Sequence, residues 1–275
     1  MTDNMNIQWY PGHMTKTRRQ IEADLKLVDA VCEIVDARIP VSSRNPDIDA
    51  ICGDKPRMIV LNRMDLADPA ATKKWAEYFR RKGMAVIATD CKSKKGISAF
   101  TPAARLACAE KLERDAKRGM NRPLRVMVVG IPNVGKSTLI NQISGRKSAK
   151  AENRPGVTRG KQWVTVDSGL QLLDTPGILW PKFEDPEVGM MLAFTGAVKE
   201  GVIDMEELAC RLLELLLAYY PDTLKERYKV EAPAGTPGYK LLEMAGKNRG
   251  YLLSRGEIHT ERMAKVLLDE FRSGK

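Results

Sequence analysis

The sequence predicts an α/β domain with a mostly parallel six-stranded sheet, followed by a smaller all-helical domain. Three observations predict it. The short runs Ala30–Val35, Arg57–Leu61, Met84–Thr89 and Arg125–Val129 are continuously apolar and do not alternate, which is the pattern of parallel strands buried on both faces. Helical segments with clear boundary signals separate these runs, and such alternation marks an α/β sheet. Beyond about residue 185 the strand-like runs stop, and apolar residues recur only at helical spacing.

In chain order, Lys16–Val28 places Ile21, Leu25 and Val28 on one helical face and leads into the first strand. Ahead of it stands Trp9-Tyr10-Pro11-Gly12-His13-Met14, where Pro-Gly reads as a turn and His13 as a residue presented by a loop. Asp68-Pro69 supplies an N-cap and a first-turn proline for the next helix, which Gly83 closes. Ala103–Arg118 reads as one helix ending at Gly119, and Ser137–Ser144 as the helix after the fourth strand. Trp163–Val166 and Leu170–Leu173 complete the six strands, joined by the turn residues Asp167-Ser168-Gly169. Three helices follow, Met205–Tyr220, Tyr239–Ala245 and Thr260–Arg272, with breaks at Pro221 and across 232–238. The expected domains are 1–185, with an N-terminal extension over 1–14, and 186–275.

At 275 residues the chain has room for both domains with real cores. Its 45 Lys and Arg against 35 Asp and Glu give a net charge of +10. That excess favours polyanion partners, RNA or DNA, although a basic but merely solvated surface satisfies composition equally well. Five cysteines, widely spaced and without a CxxC pair, point to free thiols in a reducing compartment rather than a disulfide framework or zinc site. The sequence holds no apolar stretch of membrane-spanning length and no signal pattern at its start, so a cytoplasmic protein with no membrane partner is expected.

Gly130-Ile131-Pro132-Asn133-Val134-Gly135-Lys136-Ser137 fits GxxxxGK[ST] between a strand and a helix, the context a phosphate-binding loop requires. Loop N–H groups and the helix N-terminus hold phosphates in such a turn, which assigns Asn133, Val134, Gly135, Lys136, Ser137 and Thr138 to phosphate binding. Lys136 would reach the β- and γ-phosphates, and Ser137 would ligate Mg²⁺. Asp174-Thr175-Pro176-Gly177 follows the last strand, where Asp174 would hold Mg²⁺ and the Gly177 N–H would meet a γ-phosphate. DxxG is weak alone, and strong when it stands two strands after Lys136.

Asn62-Arg63-Met64-Asp65 ends the second strand. The Asp65 carboxylate suits guanine's ring N–H and exocyclic amine, a donor pair adenine lacks, and so would select GTP over ATP. The usual motif is N-K-x-D; here arginine stands at the lysine position, with a stem and planar head able to pack on the purine. Asp90-Cys91-Lys92, after the third strand, takes the place of the S-A-K loop, whose backbone N–H contacts the guanine oxygen. Thr158, in Arg154–Arg159, is placed to complete Mg²⁺ coordination when the γ-phosphate is present. The surrounding 146–161 carries six basic residues and one acid, Glu152, so switch loop and RNA-contacting edge are expected to coincide.

In an ordinary GTPase the phosphate loop comes first and the guanine motif follows DxxG. Here the guanine motif comes first and DxxG last, so this is a circularly permuted P-loop GTPase domain. Its sheet still forms, because each loop stays at the carboxyl end of its own strand. That order, with WYPGHM and Asp36-Ala37-Arg38-Ile39-Pro40-Val41-Ser42-Ser43-Arg44-Asn45-Pro46, closely resembles the RbgA/YlqF family of circularly permuted ribosome-assembly GTPases over almost the whole chain. The resemblance implies hydrolysis of GTP to GDP and a role in late maturation of the large, 50S, ribosomal subunit. It further implies binding to the subunit precursor and its rRNA in the GTP state, with release after hydrolysis. A monomer off the ribosome is expected.

Permutation gives the opening residues a role. Unpermuted, DxxG is followed by a catalytic glutamine and a helix leading to the next central strand. Ile178 stands after Gly177 and cannot orient a water, whereas His13 begins the helix before the equivalent strand, so His13 is expected to position the attacking water. No arginine finger is identifiable, and Asn133 matches the asparagine that similar potassium-dependent GTPases use as a K⁺ ligand. In the C-terminal domain Lys240, Lys247, Arg249, Arg255, Arg262, Lys265 and Arg272 are candidates for an rRNA surface. The competing readings are an rRNA-binding protein switched by nucleotide with negligible turnover, and an ATP-using P-loop enzyme, which Asp65 disfavours.

Overall fold

The structure, a computed structural model, describes residues 7, 10, 12–145, 162–254 and 256–275, apart from the side chains of His13 and Val202. It divides into two compact units, Gln8–Asp185 and Pro186–Lys275, the latter also taking in Ile7.

In the first unit β1 (Ala30–Asp36), β2 (Arg57–Asn62), β3 (Ala85–Thr89), β4 (Leu124–Gly130), β5 (Gln162–Asp167) and β6 (Leu170–Asp174) form one sheet, ordered β3-β2-β1-β4-β6-β5. Every neighbouring pair is parallel except β5 with β6. β4 lies centrally, with Val126 paired to Ala30 of β1 on one side and to Leu172 of β6 on the other. The chain thus builds one flank of the sheet before it reaches the middle, which is the layout of a circularly permuted P-loop domain. All seven residues of β1 are buried, as a strand covered on both faces requires.

The helices of this unit are α1 (Gly12–Asp24), α2 (Asp47–Cys52), α3 (Pro69–Arg81), α4 (Phe100–Ala107), α5 (Ala109–Lys117) and α6 (Lys136–Ser144). α3 starts where its cap demands: Asp68 accepts from the Ala71 N–H at 2.6 Å, with Pro69 in the first turn. Its buried Ala76 and Phe79 join Val35, Ile59, Leu61 and Val86 in one cluster.

Some elements depart from expectation for identifiable reasons. α1 begins at Gly12 rather than Lys16, because Met14 and Thr17 are buried with Ile21 and carry the inward face a turn further. His13 therefore lies in the first turn of a helix and not in a loop. The expected helix Ala103–Arg118 breaks at Cys108, which leaves helical geometry at φ −110° and ψ 17°. α5 beyond it buries no residue, so no common apolar stripe keeps the two pieces in line. α2 was not expected; it is six residues long and follows Asn45, whose Oδ1 accepts from the Asp47 N–H at 3.0 Å.

The second unit is helical: α7 (Pro186–Phe194), α8 (Met205–Tyr219), α9 (Pro221–Tyr228), α10 (Gly238–Asn248) and α11 (Thr260–Ser273). α7 and α9 are additions to the three helices expected. Pro221 opens α9 in its first turn instead of marking a break. Leu208, Leu212 and Leu213 of α8 are buried, as are Leu241, Leu242 and Ala245 of α10 and Met263, Leu267 and Leu268 of α11. Among the described residues no helix is long and apolar enough to cross a membrane.

Candidate active site

Because β1–β4 and β6 are parallel, their carboxyl ends share one edge of the sheet, where the phosphate loop, DxxG, NRMD and the Asp90 loop all emerge. The loop after β4 closes at Gly135, with φ of +102°, and a Cβ there would stand 2.4 Å from Asn62 Nδ2. Only glycine satisfies both the backbone and the space. Lys136 follows, buried, its Nζ donating to the carbonyls of Gly130 at 3.0 Å and Ile131 at 2.8 Å. Burial pulls its pKa down to about 8, with the Asp174 carboxylate opposing the shift. Phosphate oxygens arriving here would take over from those carbonyls and favour the charged ammonium. Val134 is buried, and Ser137 and Thr138 sit half-buried in the first turn of α6.

DxxG packs directly onto this loop. The Ser137 hydroxyl donates to Asp174 Oδ2 at 3.2 Å. Burial raises the pKa of Asp174, while Lys136, the Ser137 hydroxyl and the Thr175 N–H act the other way. Its Oδ1 is buried and meets no donor at hydrogen-bond geometry among the described residues. A hydroxyl and a carboxylate with an unused oxygen are donors of the kind Mg²⁺ takes, so Ser137 and Asp174 fit that ion. Thr175 Oγ1 donates to the Val128 carbonyl at 2.7 Å and the Ile178 N–H to the Gly130 carbonyl at 3.2 Å, tying the turn to β4. At Gly177 a Cβ would lie 2.8 Å from Pro132 Cα and 3.2 Å from Lys136 Nζ, so only a hydrogen fits. The Ile178 side chain is buried in the core.

On the guanine side, Asn62 joins three loops. Its Nδ2 donates to the Val134 carbonyl at 2.8 Å, and its Oδ1 accepts from Thr89 Oγ1 at 3.1 Å and the Cys91 N–H at 3.3 Å. Arg63, in left-handed conformation at φ 60°, donates from Nη2 to the Asn133 carbonyl at 2.9 Å. Burial lowers its pKa and Arg38 adds to that, with Asp36 and Asp65 opposing. Met64 and Asp65 lie in the short turn Met64–Leu66, with the Asp65 carboxylate exposed. Asp90 folds its own loop: burial works against its charge, but bonds from Ser93 and the Lys92 N–H leave its pKa below the usual range. Burial drives the Cys91 thiol up to about 12, so it stays neutral. The N–H groups of Cys91 and Lys92 both have protein partners, Asn62 Oδ1 and Asp90 Oδ1.

Asp36 and Arg38, to which sequence reading gave no role, also belong here. Asp36 ends β1 opposite Asn62 and is paired to Arg38 through two nitrogens. Their only signal was membership of the Asp36–Pro46 segment. Thr158 and the His13 side chain lie outside the described residues. The His13 backbone does not: α1 leads through the short turn Leu25–Leu27 into β1, so it runs back along that strand and starts near the motif-bearing edge.

A family model described as a 50S ribosome-binding GTPase matches residues 125–227. Ribosome biogenesis GTPase A of Priestia megaterium is 46% identical over 274 residues, which cover 98% of this chain and 94% of that protein. Ribosome biogenesis GTPase A of Thermotoga maritima is 36% identical over 269 residues, covering 98% and 91%. Among solved structures, GDP-bound TM YlqF matches with TM-score 0.67 and 28% identity, covering 94% of this chain and 95% of that one. GNP-bound YlqF from T. maritima matches at TM-score 0.63 and 27% identity, over 94% of each chain.

Proposed function

This chain belongs to the ribosome biogenesis GTPase A family, and from that premise we propose that it drives late maturation of the 50S subunit by binding and hydrolysing GTP. It is a GTPase of ribosome biogenesis; the stage, the subunit and the RNA contacts are our reading. One observation carries the chemistry: Lys136, Ser137 and Asp174 meet in a buried cluster beneath a loop on which Gly177 is packed. Phosphoryl transfer needs positioned charge and little else.

In this reading Lys136 binds the β- and γ-phosphates, Gly177 offers its N–H to the γ-phosphate, and Asp65 selects guanine. Ser137, Asp174 and Thr158 hold Mg²⁺, which when bound neutralises charge on the phosphates. Ile178 is buried and apolar, so the water that attacks the γ-phosphorus is oriented by His13 from the start of α1. As the new P–O bond forms, the bond to the GDP oxygen breaks. Asn133, left-handed at φ 59° in the phosphate loop, serves as a K⁺ ligand. Equal hydrolysis rates in KCl and NaCl would remove that assignment.

The helical unit supplies the rRNA contact. Two of its candidate cations are otherwise engaged: Arg272 bonds Glu200 and the carbonyls of Ala193 and Phe194, and Arg249 bonds Glu270. Lys240, Lys247, Arg262 and Lys265 are exposed, and Arg255 lies outside the described residues. Co-sedimentation with 50S particles tests the whole reading. A non-hydrolysable GTP analogue is expected to favour the particle-bound state over GDP, and His13→Ala to bind particles normally while losing particle-stimulated hydrolysis. Equal binding with both nucleotides, or full activity of His13→Ala, counts against it.

A further inference from the structure

A charged chain of contacts runs from the end of β1 to the phosphate loop. Asp36 and Arg38 are nearly enclosed, with side chains 4% and 10% exposed. Arg38 donates to Asp36 Oδ1 from its backbone N–H at 3.0 Å and from Nε at 2.9 Å, and to Oδ2 from Nη2 at 2.7 Å. Three bonds from one residue fix the carboxylate's rotation. Arg63 Nε stands 3.9 Å from Asp36 Oδ2, while Arg63 Nη2 donates to the Asn133 carbonyl. The guanidinium therefore spans from a locked anion to the turn that binds phosphate. Arg63 and Asn133 both hold left-handed backbone at φ 60° and 59°, a conformation that non-glycine residues keep only when their surroundings enforce it.

This explains how an arginine works where the usual guanine motif has lysine. An ammonium is a strongly hydrated point charge on a flexible stem, whereas a planar fork can face Asp36 with one nitrogen and Asn133 with another. Arg63 is partly desolvated and lies close to Arg38, a like charge; Asp36 is the counter-charge that makes both tolerable.

We propose that Asp36, locked by Arg38, is a positioning residue for nucleotide binding: it holds Arg63 against Asn133 and so sets the phosphate loop before the nucleotide arrives. The proposal rests on residues 130–137 being the GTP site. The experiment is a GDP titration and steady-state GTP hydrolysis on the full chain, for wild type, Asp36→Asn, Arg63→Met and the double variant. Asp36→Asn is expected to weaken GDP binding about tenfold and to raise KM with kcat within about twofold; beside Arg63→Met it should change GDP affinity by less than about twofold. A purely structural Asp36 would weaken binding equally in both backgrounds, and that additivity, or no loss at all, overturns the proposal. Should Asp36→Asn fail to fold, Asp36→Glu, which keeps the charge and shifts it by one methylene, enters the same cycle. Wild-type protein without GDP affinity would instead remove the site itself.

Discussion

Asn62→Ala should weaken the site without touching any residue that faces phosphate. Three groups lose their partner: the Val134 carbonyl at 2.8 Å, the Thr89 hydroxyl at 3.1 Å and the Cys91 N–H at 3.3 Å. A neutral hydrogen bond contributes about 1 kcal/mol net, and a buried group left unpaired costs about 1–3 kcal/mol. The Thr89 hydroxyl can turn toward the Cys91 sulfur at 3.8 Å, which moderates its share. The sum is about 3 kcal/mol, or roughly a hundredfold if expressed wholly in GDP affinity. It divides between two measurements: loops that stay ordered without nucleotide lose global stability, and loops that loosen lose affinity. Urea unfolding of nucleotide-free protein and a GDP titration, added together, should recover the total. A combined loss below about 1 kcal/mol would refute the argument that Asn62 ties the loops together.

Other variants separate the parts of the site. Gly177→Ala places a methyl against Pro132, so the DxxG turn must withdraw; single-turnover GTP hydrolysis should fall roughly tenfold or more while GDP affinity changes little. Asp174→Asn should flatten the Mg²⁺ dependence of GTP affinity, read by titration with and without chelator, since the amide presents one oxygen in place of two. Asp29 receives hydrogen bonds from Arg122, Lys111 and the Arg125 N–H that outweigh burial and hold its pKa low. A depressed carboxylate stabilises the fold above its unfolded value of 3.8 and loses that contribution as pH falls through the folded value. Asp29→Asn should therefore cost about 1–2 kcal/mol in urea unfolding at pH 7 and much less near pH 3.

The phosphate loop, DxxG and NRMD were legible because their chemistry is done by backbone turns and a few side chains at fixed local spacing. What escaped depends on distance or on uniformity. Asn62 reaches Val134 across 72 residues, and nothing local to NRMD distinguishes a base contact from a strut between loops. Asp36 and Arg38 stood in a segment that resemblance singled out, but only folding brings Arg63 beside them. α7 is apolar along most of its length, so it has no periodic stripe to read. Pro221 carried a second meaning, since a proline that breaks one helix also suits the first turn of the next. Met14 showed no stripe of its own, and its burial moved His13 from loop to helix.

The order β3-β2-β1-β4-β6-β5 also decides what the γ-phosphate loop is tied to. In an unpermuted chain the residues after DxxG re-enter the sheet, and a shift of Gly177 is absorbed by the domain's own core. Here residues 178–185 are all that separate Gly177 from Pro186, the first residue of the helical unit. Ile178, Leu179, Trp180 and Phe183 within that stretch are buried, so it is a stiff tether rather than slack. Permutation has thus put the nucleotide sensor and the helical unit on one short leash, and the sign of the phosphate state travels along the chain itself.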